Sequence, residues 1–400
     1  MLRNLSVVAK RSNSTAATLL KTPLYDCHLQ YGGKMVPYAG FEMPVLYKGQ
    51  SHIESHNWVR NKCGLFDVSH MLQHKFTGSE AAALLQKITP IDLSKLPINS
   101  SSLTVLLNKN GGIIDDCIIT KHGEQDYYMV TNAGCREKDT AFIKQEISDF
   151  GGNINHNTFE GTLLAIQGPK AKEILQKFTN ENLNEVVFGQ SKYLDLSSII
   201  NSQIHLARSG YTGEDGFELS IPSDNSVQAK EAQDFFNILI NEYPEVVKPI
   251  GLAARDSLRL EAGMCLYGHE LTEELTPVEA SLAWLIPKSR RVEESNPFNG
   301  SSKILQQLAD RTTFTHQRVG FLSKGPSPRD NNKILDKEGN EIGYITSGSP
   351  SPTLGGNVAQ GYIKRGLHKS GTEIDIEIRG KKRPGVVAKM PFVPNNFYRG

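Results

Sequence analysis

The chain has 400 residues, 38% hydrophobic and 22% charged, enough to bury two or three ordinary cores without help from disulfides or metals. Its 44 Lys+Arg stand against 43 Asp+Glu, so there is no field of one sign to grip a nucleic-acid backbone or an anionic membrane, and no stretch approaches the roughly 18 apolar residues of a membrane span. Five cysteines (Cys27, Cys63, Cys117, Cys135, Cys265), odd in number and without a CxxC pair, argue against a disulfide framework or a structural zinc site and for a reducing compartment.

The N-terminus carries Arg3, Lys10, Arg11 and Lys21 among hydroxyl residues, with no carboxylate before Asp26, which is the composition of a mitochondrial import segment over residues 1–21. His52 and His56 are one helical turn apart and His70 follows, but Glu54 stands two places after His52, so the pattern is not HExxH. Surface or capping histidines are expected, and no metal.

Residues 103–107, 113–120 and 127–130 read as an antiparallel meander, with Asn108-Lys109-Asn110-Gly111-Gly112 as its first turn. Alternation sends Asp115 to the face of Ile113, Cys117 and Ile119, and Asp116 to the face of Ile114 and Ile118. The two cannot form a dyad acting on one atom. Each is a carboxylate set in an apolar surface, and such a charge costs several kcal/mol unless a donor, a cation or a ligand satisfies it. The pattern alone does not say which of the two matters.

A strand over 163–166 runs through Gln167-Gly168-Pro169 into a helix over 170–178, and a hairpin joins 205–208 to 217–221. Glu218, between Phe217 and Leu219, is a further carboxylate on a strand. Phe235, Phe236, Leu239, Ile240 and Tyr243 make one apolar helical face that Pro244 closes. Arg255 and Arg259 share a face of a helix over 252–262 ended by Gly263, where an anion, or Asp256 or Glu261, would hold them. The charged stretch 288–302, with Arg290-Arg291 and Glu293-Glu294, reads as a linker into an all-β region in which Glu373-Ile374-Asp375-Ile376-Glu377-Ile378 alternates strictly. Tight hairpins between the strands make the class α+β with antiparallel sheets. GxGxxG, GxxxxGK[ST] and GxSxG are all absent from the sequence.

Read together, the segments go further. Thr22-Pro23-Leu24-Tyr25-Asp26, Gly64-Leu65-Phe66-Asp67-Val68-Ser69-His70-Met71, Gly111-Gly112-Ile113-Ile114-Asp115-Asp116, Gly210-Tyr211-Thr212-Gly213-Glu214-Asp215-Gly216-Phe217-Glu218 and the run from Gly251 to Gly263 stand in order. With Thr276-Pro277-Val278-Glu279 and Lys389-Met390-Pro391-Phe392-Val393-Pro394 they resemble the aminomethyltransferases, the T-proteins of the glycine cleavage system, over nearly everything after the import segment.

The resemblance implies a three-domain ring: residues 22–68 with 157–242 and residues 69–156 with 243–292 as two ferredoxin-like domains, and 293–400 as a jelly-roll-like barrel. It implies tetrahydrofolate as co-substrate in a central cavity, lipoylated H-protein as partner, and the mitochondrial matrix as location, with no nucleic acid or membrane involved. The family's catalytic aspartate corresponds to Asp116, and its binding positions to Met71, Tyr128, Val130, Asn132, Tyr211, Glu218, Arg255, Trp284 and Arg318. Its C-terminal folate-contacting tyrosine aligns with Phe397, and Tyr398 stands next to it. In chemical terms, Glu218 would accept the donor fork of a reduced pterin, Met71, Tyr128 and Trp284 would flank the aromatic ring, and Arg255 or Arg318 would meet the anionic tail. Two related architectures compete. A flavin-linked demethylating dehydrogenase would need a dinucleotide fingerprint, and a folate-binding iron–sulfur assembly scaffold carries a Lys-Gly-Cys-Tyr-x-Gly-Gln-Glu motif where this chain has Glu261-Ala262-Gly263-Met264-Cys265-Leu266-Tyr267-Gly268-His269-Glu270. Cys265 therefore reads as a small core residue.

Overall fold

Ile113–Gly123 is the longest strand of a five-stranded antiparallel sheet, and its alternation sorts the whole sheet into two faces. The sheet order is Ser100–Leu107, Ile113–Gly123, Asp126–Thr131, Leu72–Thr77, Asn155–Phe159. Paired residues share a face, so Ile118 lies with Val130 and Gln73, and Asp116 falls on that same side. The other side carries Cys117, Ile119, Met129 and Phe76, which pack under helices Ala81–Ile88 and Arg136–Phe150 through Leu84, Leu85, Ile88 and Ile143. The turn before Asp115 is set by contact: a Cβ on Gly112 would stand 1.7 Å from the Glu273 carbonyl oxygen, so only glycine lets the 272–275 loop accept the Ile113 N–H. The computed structural model describes residues 18–196, 199–292 and 297–400.

A six-stranded sheet faces the first, in the order Ser191–Leu196, Ile200–Ala207, Gly216–Pro222, Gly161–Gln167, Cys63–Asp67, Val247–Pro249. Helix Ser226–Glu242 covers its far side, burying Ala232, Phe235, Phe236, Leu239 and Ile240 on the face foreseen from their spacing. Each such large side chain taken fully from water contributes about 1.5–3 kcal/mol. That helix is also the crossover that lets Val247–Pro249 join Cys63–Leu65 in parallel, so these residues lie in the six-stranded sheet although the sequence assigned 243–292 to the other unit. Likewise Asn155–Phe159 stays wholly in the five-stranded sheet, past the expected break at 157.

The C-terminal strands close into a six-stranded antiparallel barrel, ordered His316–Ser323, Gly356–Lys364, Glu341–Ser351, Lys333–Leu335, Glu373–Ile378, Lys381–Ala388. Ile374, Ile376 and Ile378 point inward, as their alternation requires, and the intervening acids point out. The protein is thus α+β with a closed β-barrel at its C-terminus.

Two expectations change. Most of the import segment, residues 1–17, lies outside the described residues, but Leu20 is already tied to the hairpin Gly33–Tyr38/Phe41–Tyr47, donating to Gly40 and accepting from Glu42 at 2.9 Å each. The stretch 288–302 is not a solvated linker over its described parts. Arg290 is buried, donating to the Gln86 carbonyl and lying 5.4 Å from the Phe298 ring, and Ser301 opens helix Ser301–Ala309. The charge of Arg290 was legible in sequence, whereas its partner sits some 200 residues away on another helix. Glu293 and Glu294 lie outside the described residues.

Candidate active site

Asp116 and Asp115 leave their strand on opposite faces, yet one side chain serves both. Asn132, just past the end of the paired strand Asp126–Thr131, points its Nδ2 at Asp116 Oδ1 (2.9 Å), Asp115 Oδ1 (2.9 Å) and the Asp116 carbonyl (3.1 Å), while its backbone N–H donates to Asp115 Oδ2 at 2.8 Å. Burial, and then the charge of Asp115, push the Asp116 carboxyl up to about 7 even though Asn132 donates to it. Asp116 is thus a carboxyl that exchanges its proton near neutral pH, facing the six-stranded sheet.

The two facing sheets meet through a shared acceptor. The hydroxyls of Tyr128 and Ser220 both donate to Gln73 Oε1, the former at 2.9 Å, and the Tyr128 ring lies 4.6 Å from that of His205. Met71 and Val130 pack beside them on an apolar patch that includes Phe66, Leu163, Ala165 and Leu258. On the opposing strand Glu218 accepts from the Ser209 hydroxyl through Oε2, and its charge reaches the buried Tyr128 hydroxyl. Tyr211 donates to the Cys265 carbonyl, its hydroxyl held protonated first by burial, and the guanidinium of Arg255 stacks 4.6 Å over its ring. Among the described residues no carboxylate pairs with Arg255, whereas its helix neighbour Arg259 is locked to Asp256 (2.9 Å) and to the buried Glu270 (2.7 Å). Of the two arginines on this helix face, Arg259 is held by carboxylates, as the sequence allowed, and Arg255 is left without one among the described residues.

Asp116, Asn132, Val130, Met71, Tyr128, Tyr211, Glu218 and Arg255 therefore lie on the facing sides of the two sheets or on the segments beside them. The remaining expected positions do not join them directly. Arg318 is buried, donating from Nε to the Ala280 carbonyl (2.7 Å) and from Nη1 to Gln360 and the Gly263 carbonyl, so it fastens the barrel behind the Cys265 loop and is not free for an anionic tail. Trp284 is 64% exposed on the turn Ala283–Leu285. Phe397 stacks on Phe188 at 4.1 Å, and Tyr398 lies 4.1 Å from the Arg208 guanidinium while its carbonyl accepts from Phe188 N at 2.8 Å. Both hold the C-terminal tail against the six-stranded sheet.

The histidines are not the surface or capping residues expected, since His56 and His70 are buried and Ser51 caps the helix that carries His52 and His56. His52 Nε2 and His56 Nδ1 each lie 2.8 Å from Ser257 Oγ, and burial pushes His70 down to about 4, helped by the nearby Arg255 charge. Among the described residues a possible ligand set is Asp115, Cys135 and Asp139, whose ligand atoms lie within 4.8 Å of one another on the helix-covered side of the sheet. Neither Gln73 nor Asp139 was singled out from the sequence. Asp139 falls in the first turn of Arg136–Phe150, where an acid ordinarily complements the helix dipole in solvent, and that local reading hides its burial.

Comparison with known proteins converges on one family. The family model described as the GCVT N-terminal domain matches residues 24–290, and that of the glycine cleavage T-protein C-terminal barrel domain matches residues 316–394. The mitochondrial aminomethyltransferase of Saccharomyces cerevisiae is 50% identical over 408 residues, covering 98% of each chain, and that of Pisum sativum is 46% identical over 98% of this chain and 94% of its own. The crystal structure of the glycine cleavage system aminomethyltransferase T from Bartonella henselae superposes with a TM-score of 0.87 at 36% identity, covering 96% of this chain and all of the other. The chain belongs to the glycine cleavage T-protein family, the aminomethyltransferases.

Proposed function

We propose that this aminomethyltransferase takes the aminomethyl group carried on the lipoyl arm of H-protein and transfers its carbon to tetrahydrofolate, giving methylenetetrahydrofolate, ammonia and the reduced lipoyl arm. Like its yeast and pea relatives it is a mitochondrial protein, and we place it in the matrix. The observation that carries the reading is Asp116: a carboxyl on the face turned to the second sheet, oriented by Asn132 and raised to about 7 by burial and the Asp115 charge.

The residues present fit a reduced folate. Glu218 can meet a paired N–H donor fork, the polar end such a ring presents, with one oxygen for each N–H, Oε2 also accepting from Ser209 through its second lone pair. Met71, Val130 and Tyr128 supply flat apolar wall, and Arg255, braced on Tyr211 and without a carboxylate partner among the described residues, supplies a cation for an anionic tail. Trp284 would reach the ligand only from the rim. Bound tetrahydrofolate supplies the nucleophilic nitrogens that receive the carbon. For its part, Asp116 orients that acceptor and takes or returns a proton at Oδ2, the oxygen that Asn132 leaves open. Asn132 keeps Oδ1 fixed while this happens.

The test is ammonia release from aminomethylated H-protein, with and without tetrahydrofolate, for the wild type and Asp116→Asn. Asn keeps the shape and the Asn132 contact but cannot exchange a proton, so folate binding should persist while folate-dependent turnover falls by about a hundredfold or more. Undiminished turnover would remove Asp116 from the chemistry. Folate retention with no transfer by the wild type would favour the scaffold reading instead.

A further inference from the structure

The far side of the catalytic strand holds an anomaly. Asp139 is fully buried in helix Arg136–Phe150, and among the described residues neither of its carboxylate oxygens makes a well-formed hydrogen bond, although the Thr131 hydroxyl lies close enough to favour its charged form. Its polar neighbours are the Asp115 carboxylate and the Cys135 thiol, all within 4.8 Å. Facing it from other elements are Asp115 and Cys117 on the catalytic strand and Thr131 on the next, whose hydroxyl also lies 3.1 Å from His74 Nε2. The nearest cation, Lys138, is turned away to the Tyr267 hydroxyl (2.6 Å) and Glu273 (3.1 Å).

Two carboxylates cannot both be charged in such a place, because each would be desolvated and repelled by the other. Asp115 has the better donors for a negative charge, the backbone N–H and side-chain amide of Asn132 at 2.8 and 2.9 Å, against the single Thr131 hydroxyl beside Asp139. The proton must therefore sit on the acid that lacks them. Resting on the functional reading above, we propose that Asp139 is a positioning residue, a permanently neutral carboxylic acid that donates its proton to Asp115 and so completes a chain Asp139, Asp115, Asn132, Asp116 that holds the catalytic carboxyl in place. Burial first, then the Asp115 charge, push Asp139 up to about 10, in keeping with this order of charges. The chain explains why adjacent acids occur on a strand whose two faces both look buried: Asp116 faces the substrate gap, and Asp115 fixes the amide that aims it. The same three residues are a candidate ligand set for a divalent metal, and elemental analysis tells that occupant from the proton.

Infrared difference spectra, wild type minus Asp139→Asn, test the protonation directly. At about pH 8.5, where Asp116 is largely ionised, the wild type should keep a protonated-carboxyl C=O band that the variant lacks. That measurement does not depend on the transferase reading, so its failure and the failure of that reading are separable. Kinetically, Asp139→Asn retains a donor for Asp115 and should turn over within about threefold of wild type, whereas Asp139→Leu should lose about ten- to a hundredfold in kcat with little change in KM for tetrahydrofolate. Should Asp139→Leu fail to fold, the band and the Asn variant still decide. A missing band, an Asn variant that folds but is as slow as the Leu variant, or a stoichiometric metal found by elemental analysis of the purified protein would each overturn the proposal.

Discussion

Asp116 carries its function at a cost to stability that can be measured. A carboxyl raised from its ordinary value to about 7 binds its proton more tightly folded than unfolded, so stability is greatest below the unfolded value and falls as pH rises towards 7. Asp116→Asn removes that penalty, and its melting temperature should exceed the wild type's at pH 8, with the gap closing towards pH 4. Over the same interval wild-type kcat should rise about tenfold per pH unit below 7 and level off above it, if the ionised form is the working one. Parallel melts and pH–rate profiles check both, and a flat profile through neutrality would exclude Asp116 as the titrating group. At this scale alternation correctly separated Asp115 from Asp116. What it could not reveal was the reach of Asn132 to both, or Asp139 beneath, because those contacts depend on where a strand end and a helix from other parts of the chain come to rest.

Among the elements, helix Leu252–Glu261 does more than present Arg255. Its last residue, Glu261, is fully buried and accepts from Arg60 Nη2 (2.7 Å), Ser351 Oγ (2.5 Å), Thr353 Oγ1 (2.7 Å) and Thr353 N (3.2 Å), with His56 Nε2 at 3.1 Å. One carboxylate thereby joins helices His52–Asn61 and Leu252–Glu261 to barrel strand Glu341–Ser351. Burial alone would raise it, but the His56 contact and the two hydroxyls outweigh that and draw it down to about 2. The sign follows: the stabilisation is complete above about pH 4.5 and is lost as pH falls towards 2. Glu261→Ala leaves Arg60 with Glu214 as its carboxylate partner but strips His56 and two hydroxyls of theirs in a dry site, and should cost about 3 kcal/mol at neutral pH, read by urea titration, with the difference shrinking below pH 4. The helix itself was readable from its spacing and from Gly263, whereas Glu261 looked like a surface partner for arginine on its own helix. Strand Glu373–Ile378 was readable for the opposite reason, since its fate depends only on alternation.

At the scale of the whole molecule, the barrel is bound to the rest by buried polar contacts. Arg259 pairs with Glu270 and donates to Ser347 at 2.8 Å, Glu270 accepts from Thr346 at 2.7 Å, and the Tyr362 hydroxyl donates to the Glu270 carbonyl at 2.7 Å. Such a junction tolerates no half measures, because removing one partner of a buried pair leaves an uncompensated charge worth about 3–5 kcal/mol. Arg259→Met should therefore weaken the seam selectively, leaving the barrel's own core of Phe321, Ile345, Ile374 and Ile376 untouched. The two tryptophans, Trp58 and Trp284, both lie outside the barrel, so their fluorescence follows the sheet domains while far-ultraviolet circular dichroism follows every strand. In the wild type the two signals should melt together. In Arg259→Met they should separate into two transitions, and a variant that still melts in a single step at the wild-type temperature would mean that the seam is held by the C-terminal tail, through Phe392 on Glu261 and Asn396 on Gly213, and not by the buried ion pair.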